Sequence, residues 1–323
     1  MRRSFAVLSV AAALVAATGC GSSDSPSTPA GGGSTTPTKV TVGVIPIVDV
    51  APIYLGKEKG FFSSRGIDLT MESGQGGAAI VPGVLSGQFQ FGFSNVTSLM
   101  LAQTNNVPIK VVANGVASTG KEGADFGGVT VKGDSPIKSA KDLAGKKVAV
   151  NTLKNIGDTT VRESVRKAGG DPSTINFVEI GFPQMPAALA NGQVDAAWVV
   201  EPSLSVVKSQ GGRVVAWNYV DAAPNLTVAT YFTSIKLMQE NPDLVKRFTE
   251  AINESLTYAS AHGDEVRQVL GTYTQIDQKT RESLTLPVWP TEINKASIET
   301  LATLGKTDGV FGDKTPDLTK LLP

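Results

Sequence analysis

The residues able to do chemistry are few in this 323-residue chain. One histidine, His262, and one cysteine, Cys20, are the whole supply of the usual soft metal ligands and redox groups, so a histidine pair or cysteine cluster holding a catalytic metal is not expected. No G-x-S-x-G is present to place a nucleophilic serine at a strand-to-helix elbow. His262 falls near the end of a long helical pattern, where a capping or surface role is expected. The strongest catalytic motif is Gly74-Gln75-Gly76-Gly77-Ala78-Ala79, which follows a strand pattern and fits the dinucleotide turn G-x-G-x-x-A. That chemistry needs an acid for the ribose ~20 residues further on. Between Glu72 and Glu122 there is no Asp or Glu, so a dinucleotide site is not expected. The chain reads as a binder without cofactor, metal or catalytic residues.

The elements that position the remaining polar residues alternate between strand and helix, the pattern of parallel sheets. Strands are expected at 39–45, 67–71, 89–93 and 109–113, with helices at 51–60 and 96–103 and a short one after Gly77, in which Pro82 and Gly83 are unfavourable. The glycine-rich stretch 115–128 interrupts this first α/β lobe. A second follows, with strands at 129–132, 147–150, 175–180, 194–200 and 213–217 and helices at 140–143, 159–167, 185–190 and 203–209. Ser86-Gly87-Gln88-Phe89-Gln90 and Asn191-Gly192-Gln193-Val194-Asp195 echo each other at the same helix-to-strand junction, which suggests two similar lobes. From Pro242 onward Leu244, Val245, Phe248, Ile252 and Leu256 recur at helical spacing. Asn241 is the expected N-cap, with Pro242 at the first helical position. The expected organisation is lobe 1 from 39–125 plus 226–323, lobe 2 from 126–225, and a helical C-terminal coat.

Ahead of the lobes, Arg2 and Arg3 precede an apolar run from Phe5 to Ala17, the layout of a secretory signal over 1–19. A membrane span needs roughly 20 apolar residues, so this run targets the chain and does not span. Ala17-Thr18-Gly19-Cys20 has the form of a lipobox. Cys20, the sole cysteine, cannot form an internal disulfide, and acylation there would give the two-chain anchor that stable membrane attachment requires. Residues 20–38 then form a tether of Gly, Ser, Thr, Pro and Ala too poor in apolar groups to fold. Lipid anchorage on the outer face of the cytoplasmic membrane follows as an expectation. The 29 basic and 29 acidic residues balance, which gives no electrostatic footprint for nucleic acid. A monomer is expected.

Several segments carry a resemblance: Gly43 to Pro46, Ala51-Pro52 through Lys59-Gly60-Phe61-Phe62, and Gly87-Gln88-Phe89-Gln90-Phe91-Gly92. In the second lobe they are Asp142-Leu143-Ala144-Gly145-Lys146-Lys147-Val148-Ala149-Val150, Ala187-Ala188-Leu189, Gly192-Gln193-Val194-Asp195-Ala196-Ala197 and Glu201-Pro202. In order and spacing, from Val40 to Phe248, the chain resembles the solute-binding proteins for aliphatic sulfonates, taurine, nitrate and thiamine pyrimidine precursors. The resemblance implies a two-lobed type II periplasmic-binding fold with its ligand crevice between the lobes, and partnership with the permease subunits of an ABC importer. Thiamine pyrimidine synthases resemble the same family but carry a cysteine-rich motif and a histidine near the cleft. This sequence has neither. A surface lipoprotein without transport function is the remaining alternative, and it predicts no closing cleft.

In such a fold ligands sit beyond the carboxyl ends of the strands. The candidate contacts there are Val48 and Asp49; Gly76 and Gly77; Ser94, Asn95 and Thr97; Asn151, Thr152 and Asn155; Phe182 and Gln184; and Glu201. Ser94 and Asn95 suit helix capping equally well. Helix N-termini at Gly76-Gly77 and Ser94-Asn95 would favour an anionic group. The carboxylates of Asp49, Asp158 and Glu201, with Lys154 as the only cation in these loops, favour a neutral or nitrogen-rich ligand over an oxyanion. Glu201 has two readings, ligand contact or hinge brace. Trp198 and Trp217 have two as well, aromatic shelf or core packing.

Overall fold

The computed structural model describes residues 36–323. The expected signal segment, Cys20 and nearly all of the tether lie outside the described residues.

Ten strands are present among the described residues: β1 (Thr38–Val44), β2 (Ile67–Ser73), β3 (Phe91–Asn95), β4 (Ile109–Ala117), β5 (Gly127–Val131), β6 (Lys147–Val150), β7 (Asn176–Glu179), β8 (Ala196–Val200), β9 (Arg213–Ala216) and β10 (Thr227–Ser234). They form two five-stranded sheets, in the orders β2-β1-β3-β10-β4 and β7-β6-β8-β5-β9. The two sheets repeat one plan. β1 lies parallel to β2 and β3, as β6 does to β7 and β8. The fourth place in each sheet is taken by the strand that has just crossed from the other: β10 runs antiparallel to β3 and β4, and β5 antiparallel to β8 and β9. Sequence pattern follows position. Central β8, Ala-Ala-Trp-Val-Val, is buried along its whole length, as a strand covered on both faces must be. Edge strand β2 alternates, burying Ile67 and Leu69 and exposing Asp68 and Thr70.

The five-residue echo marks corresponding parts of the two lobes. Gly87 and Gly192 both take left-handed backbone, at φ +81° and +68°, and end the helices Gly77–Ser86 and Met185–Ala190. Gln90 and Asp195 then do the same work. The Gln90 side-chain oxygen accepts from Thr41 N at 2.8 Å, while Gln90 N donates to Thr41 O at 2.9 Å. Asp195 Oδ2 accepts from Lys147 N at 2.8 Å, and its own N donates to Lys147 O at 2.9 Å. Each side chain extends the ladder one residue ahead of its strand, Gln90 before β3 alongside β1 and Asp195 before β8 alongside β6.

Some boundaries differ from expectation. The helix after Gly76 runs ten residues straight through Pro82, and Gly83 belongs there because the Phe89 ring packs where a Cβ would stand, 2.5 Å away. The strand expected over 89–93 is shifted to Phe91–Asn95, since the turn and Gln90 use the residues before it. The helix expected from Thr159 begins at Ile156, where Asn155 caps it. Residues Ala140–Leu143 make only a 3-10 turn, closed by a capping box between Ser139 and Asp142. The crossings between sheets are short. The first is tied by Asp125, whose carboxylate accepts from Ser118 Oγ at 2.6 Å and Thr119 N at 2.9 Å.

The helix Pro242–Ala261 covers the first sheet, capped as expected by Asn241 through Leu244 N at 3.1 Å. Its Phe248 stacks on Phe91 with ring centroids 3.7 Å apart. His262 is the C-cap residue of that helix.

Candidate functional site

The carboxyl ends of β1, β3, β6 and β8 and the start of β10 meet around one enclosed space. Its walls include Asp49, Asn95, Asn151, Phe182, Trp198 and Tyr219, together with apolar strand-end residues of both lobes. Its volume is about 20 Å³, room for roughly one water, so the two lobes stand nearly in contact.

Asp49 is the acidic wall. It lies in the 3-10 turn Val48–Val50 that follows β1 and is 2% exposed. Trp289 Nε1 donates to the Asp49 carbonyl at 3.0 Å and so fixes the turn. The side-chain Oδ1 has no protein partner. Burial, with the charge of Asp125 adding to it, pushes the carboxyl up to about 7. The phenols of Tyr219, Tyr231 and Tyr273 are raised by burial too, and the Asp49 charge contributes to each. No Lys or Arg is among the residues lining this space.

Opposite Asp49, the second lobe offers Asn151, which follows β6 and whose Oδ1 has no protein partner. Trp198 on β8 is held edge-on by Phe182 at 5.2 Å and by Tyr219 at 5.9 Å. Its Nε1 is also unpartnered. Asn95 serves two roles: it lines the space, and its Oδ1 caps the helix Val96–Thr104 by accepting from Ser98 N at 2.9 Å. Buried polar atoms are nearly always hydrogen-bonded. Two acceptors and one donor left over around a single space therefore make it the candidate recognition site.

The other residues expected there have different work. Gly77 packs on Ser94, where a Cβ would meet Ser94 Oγ at 1.8 Å, so both serve the helix-on-strand contact inside the first lobe. Ser94 Oγ donates to Asn95 O at 3.1 Å. Thr97 is buried in the first helical turn without lining the space. Gly76 stands at the seam between lobes: a Cβ there would lie 2.9 Å from Thr152 Oγ1 and 3.3 Å from Asn151 Nδ2. Asn155 caps Ile156 N at 2.8 Å and reaches across to Ser98 Oγ, also at 2.8 Å. Val48 N donates across the seam to Glu201 O at 3.1 Å. Gln184 is exposed and outside the cavity wall. Asp158, pushed up to about 6 by burial, accepts from Lys154 N at 2.9 Å, and neither residue lines the space.

Glu201 resolves toward the brace. Its carboxylate accepts from Ser205 N at 2.9 Å, Ser205 Oγ at 2.8 Å and Thr285 N at 3.2 Å, so both oxygens are engaged by protein. It links the end of β8 to the C-terminal segment, and burial raises it to about 7. Sequence reasoning missed Tyr219 as a wall, and it left Trp198 undecided. The signal for Trp198 was its indole N–H on a fully buried strand, which needs a partner. Trp217 lies away from the space, under the Lys208 ammonium at 5.3 Å.

Two mixed sheets linked by two crossings, with polar strand-end loops closing on a shared crevice, define a two-lobed protein of periplasmic-binding type. A structure of this class, the ligand-binding component of an ABC-type import system from Staphylococcus aureus, superposes with a TM-score of 0.76 at 15% identity, over 88% of this chain and 96% of the other. The family model NMT1/THI5 like matches residues 47–266, and the chain belongs to that family. Among its relatives, the taurine-binding periplasmic protein of Escherichia coli is 27% identical over 285 residues, covering 80% of this chain and 85% of the relative. The formylaminopyrimidine-binding protein of Halalkalibacterium halodurans is 22% identical over 223 residues, covering 68% and 65%.

Proposed function

We propose that this chain is the extracytoplasmic solute-binding component of an ABC importer, held to the membrane through lipid on Cys20, working as a monomer and releasing its ligand chemically unchanged. The observation that carries the reading is the enclosed space between lobes, with unpartnered polar atoms on Asp49, Asn151 and Trp198. The site holds no nucleophile paired with a base. Closing two lobes on a solute is itself the useful work, because a permease can then distinguish loaded from empty protein.

The polarity of these atoms favours one ligand class. Asp49 and Asn151 ask for hydrogen-bond donors and Trp198 offers one, a pattern met by a flat amino-heterocycle that displaces the Phe182 ring, since the space as it stands holds about one water. A sulfonate or nitrate would face the Asp49 carboxylate. The Asp49 carboxyl, raised to about 7, would then have to stay protonated, and no cation in the wall offsets the charge once it ionises. Of the helix N-termini nearby, side chains cap those at Val96 and Ile156, while the one at Gly77 has no side-chain cap.

The test is thermal. A ligand at 100 times its Kd stabilises the native state by roughly 2.7 kcal/mol, a rise of several degrees in Tm for a chain of this size. Aminopyrimidines should give that shift, be recovered unaltered, and outrank taurine, alkyl sulfonates and nitrate. Recovery of a converted product would replace the binding reading with an enzymatic one.

A further inference from the structure

The closed space admits about one water, yet a second hollow of about 370 Å³ lies against it. Two side chains, Ile47 and Phe182, belong to the walls of both. Each is 5% exposed, so together they form a partition between an inner polar space and an outer groove. The outer groove is built from both lobes. Pro46 and Ile47 come from the loop after β1, Pro183 and Pro186 from the loop and helix after β7, and Val206 from the helix Ser203–Ser209. Ile276 comes from the C-terminal segment, which lies against that last helix. None of its lining residues carries a charge.

The partition is held by bonds that leave the groove open. Ser203 Oγ donates to the Phe182 carbonyl at 2.9 Å, and the ring rests edge-on against Trp198. On the other side Tyr273 donates its hydroxyl to the Ile47 carbonyl at 3.0 Å, while its ring stacks on Tyr54 with centroids 4.0 Å apart. These contacts fix the backbone on both sides. The Phe182 side chain itself makes no hydrogen bond and is the part able to turn aside.

From this geometry we infer that the ligand is amphipathic and bipartite: a polar N–H-donating head passes the Ile47 and Phe182 partition to reach Asp49, Asn151 and Trp198, and an apolar substituent lies in the outer groove. The inference rests on the reading of the chain as a solute-binding protein and adds the size and shape of the solute. A volume of 370 Å³ falls within the range of small-molecule pockets, ~300–1,000 Å³, whereas the inner space does not. A groove whose walls come from both lobes also couples the substituent to closure, because it is complete only when the lobes meet.

The experiment uses the full chain and a series of 4-aminopyrimidines carrying hydrogen, methyl, propyl or hexyl at ring position 5, with Kd measured by calorimetry. Burial of about 0.8 kcal/mol per methylene corresponds to roughly fourfold in affinity for each carbon placed in the groove, so Kd should fall steadily along the series. Val206→Asp and Ile276→Asp, both on half-buried groove positions, should each abolish the gain from the chain while leaving binding of unsubstituted 4-aminopyrimidine within about twofold. Parent binding with no gain along the series overturns the groove and leaves the solute-binding reading standing. Gain that survives both Asp substitutions also overturns it. Failure of every member, parent included, sinks the underlying ligand reading and this extension with it. Native cargo released from the purified protein should carry an apolar substituent beside its N–H head, and a solute as small and polar as taurine would contradict the inference.

Discussion

Asp49 carries a large share of what the site can do, because it places a carboxylate where burial opposes ionisation. Its pKa is raised to about 7 from an ordinary value near 4, chiefly by loss of water. A carboxyl whose pKa is raised on folding holds more protons in the native state than in the unfolded one across that window. Stability from this residue is therefore greatest at acid pH and declines as pH rises from about 4 to about 7. Glu201 and Asp158, raised to about 7 and about 6, have the same sign. A ligand that donates N–H to Asp49 favours its ionised form, so affinity should climb as pH rises through 7 and then level off. In Asp49→Asn the climb should vanish, the apo slope of Tm against pH should flatten, and affinity should fall by the ~1.5–3 kcal/mol of a hydrogen bond to a charged group. Calorimetric titrations at pH 5.5 and 8, with melting curves across the same range, give the comparison. An unchanged pH profile in the variant would place the titrating group elsewhere. The sequence made Asp49 a candidate because it follows a strand in a loop. It could not separate Asp49 from Glu201, since the partners that satisfy Glu201, Ser205 and Thr285, are four and 84 residues away.

At the scale of elements, the alternation of strand and helix was legible because each short strand has glycine or polar turn residues on both sides, and helix 203–209 came out as expected. Register was less legible, and the junctions show why. Phe89 has the composition of a strand residue but packs on Gly83 in the turn, while Gln90 is taken up by the bonds to Thr41 that fix where β3 begins. The equivalence of Gln90 and Asp195 makes a prediction with an internal control. Both side chains accept from the backbone N–H of a neighbouring strand, but the Gln90 bond is part-buried and the Asp195 bond exposed. Water replaces a lost partner only where it can reach. Gln90→Ala should therefore cost about 1–3 kcal/mol, the penalty of leaving a sheltered donor unsatisfied, and Asp195→Ala only a few tenths. Urea unfolding of the two variants measures the difference. Equal costs, or a larger one at Asp195, would mean that the echo reflects turn geometry alone.

In the whole molecule the lobes are held together by a short set of contacts: Ser98 with Asn155, Val48 and Thr285 with Glu201, and Arg166 with Asp308. None of these was legible in sequence, because each joins residues whose proximity depends on how two finished sheets meet. The cavity wall has the same origin. Phe93, Trp198 and Val228 look like ordinary strand residues and come to share one cavity wall only when β3, β8 and the start of β10 meet at one place. The Arg166 pair can separate closure from ligand binding, since neither partner lines the cavity or the groove. It joins the helix Ile156–Lys167 to the end of the helix Lys295–Thr307, with Nη1 to Oδ1 at 2.7 Å and Nη2 to Oδ2 at 3.3 Å, and the Asp308 side chain is 5% exposed. Asp308→Asn keeps the shape and removes the charge, so it should lower the closed fraction while leaving both lobes folded. Apparent affinity falls by the same factor as the closed fraction, and a loss of ~1.4 kcal/mol would be tenfold. Gly76→Val should act in the same direction by a different cause, wedging a side chain against Thr152 and Asn151 at a position whose extended backbone accepts any residue. For both variants, small-angle scattering at a ligand concentration near the parent Kd should give a larger radius of gyration than the parent chain. Ligand in excess should restore the parent dimension for Asp308→Asn but not for Gly76→Val, because ligand can offset a missing ion pair and cannot remove a steric wedge. If both variants kept the parent radius and the parent affinity, closure would not depend on this seam.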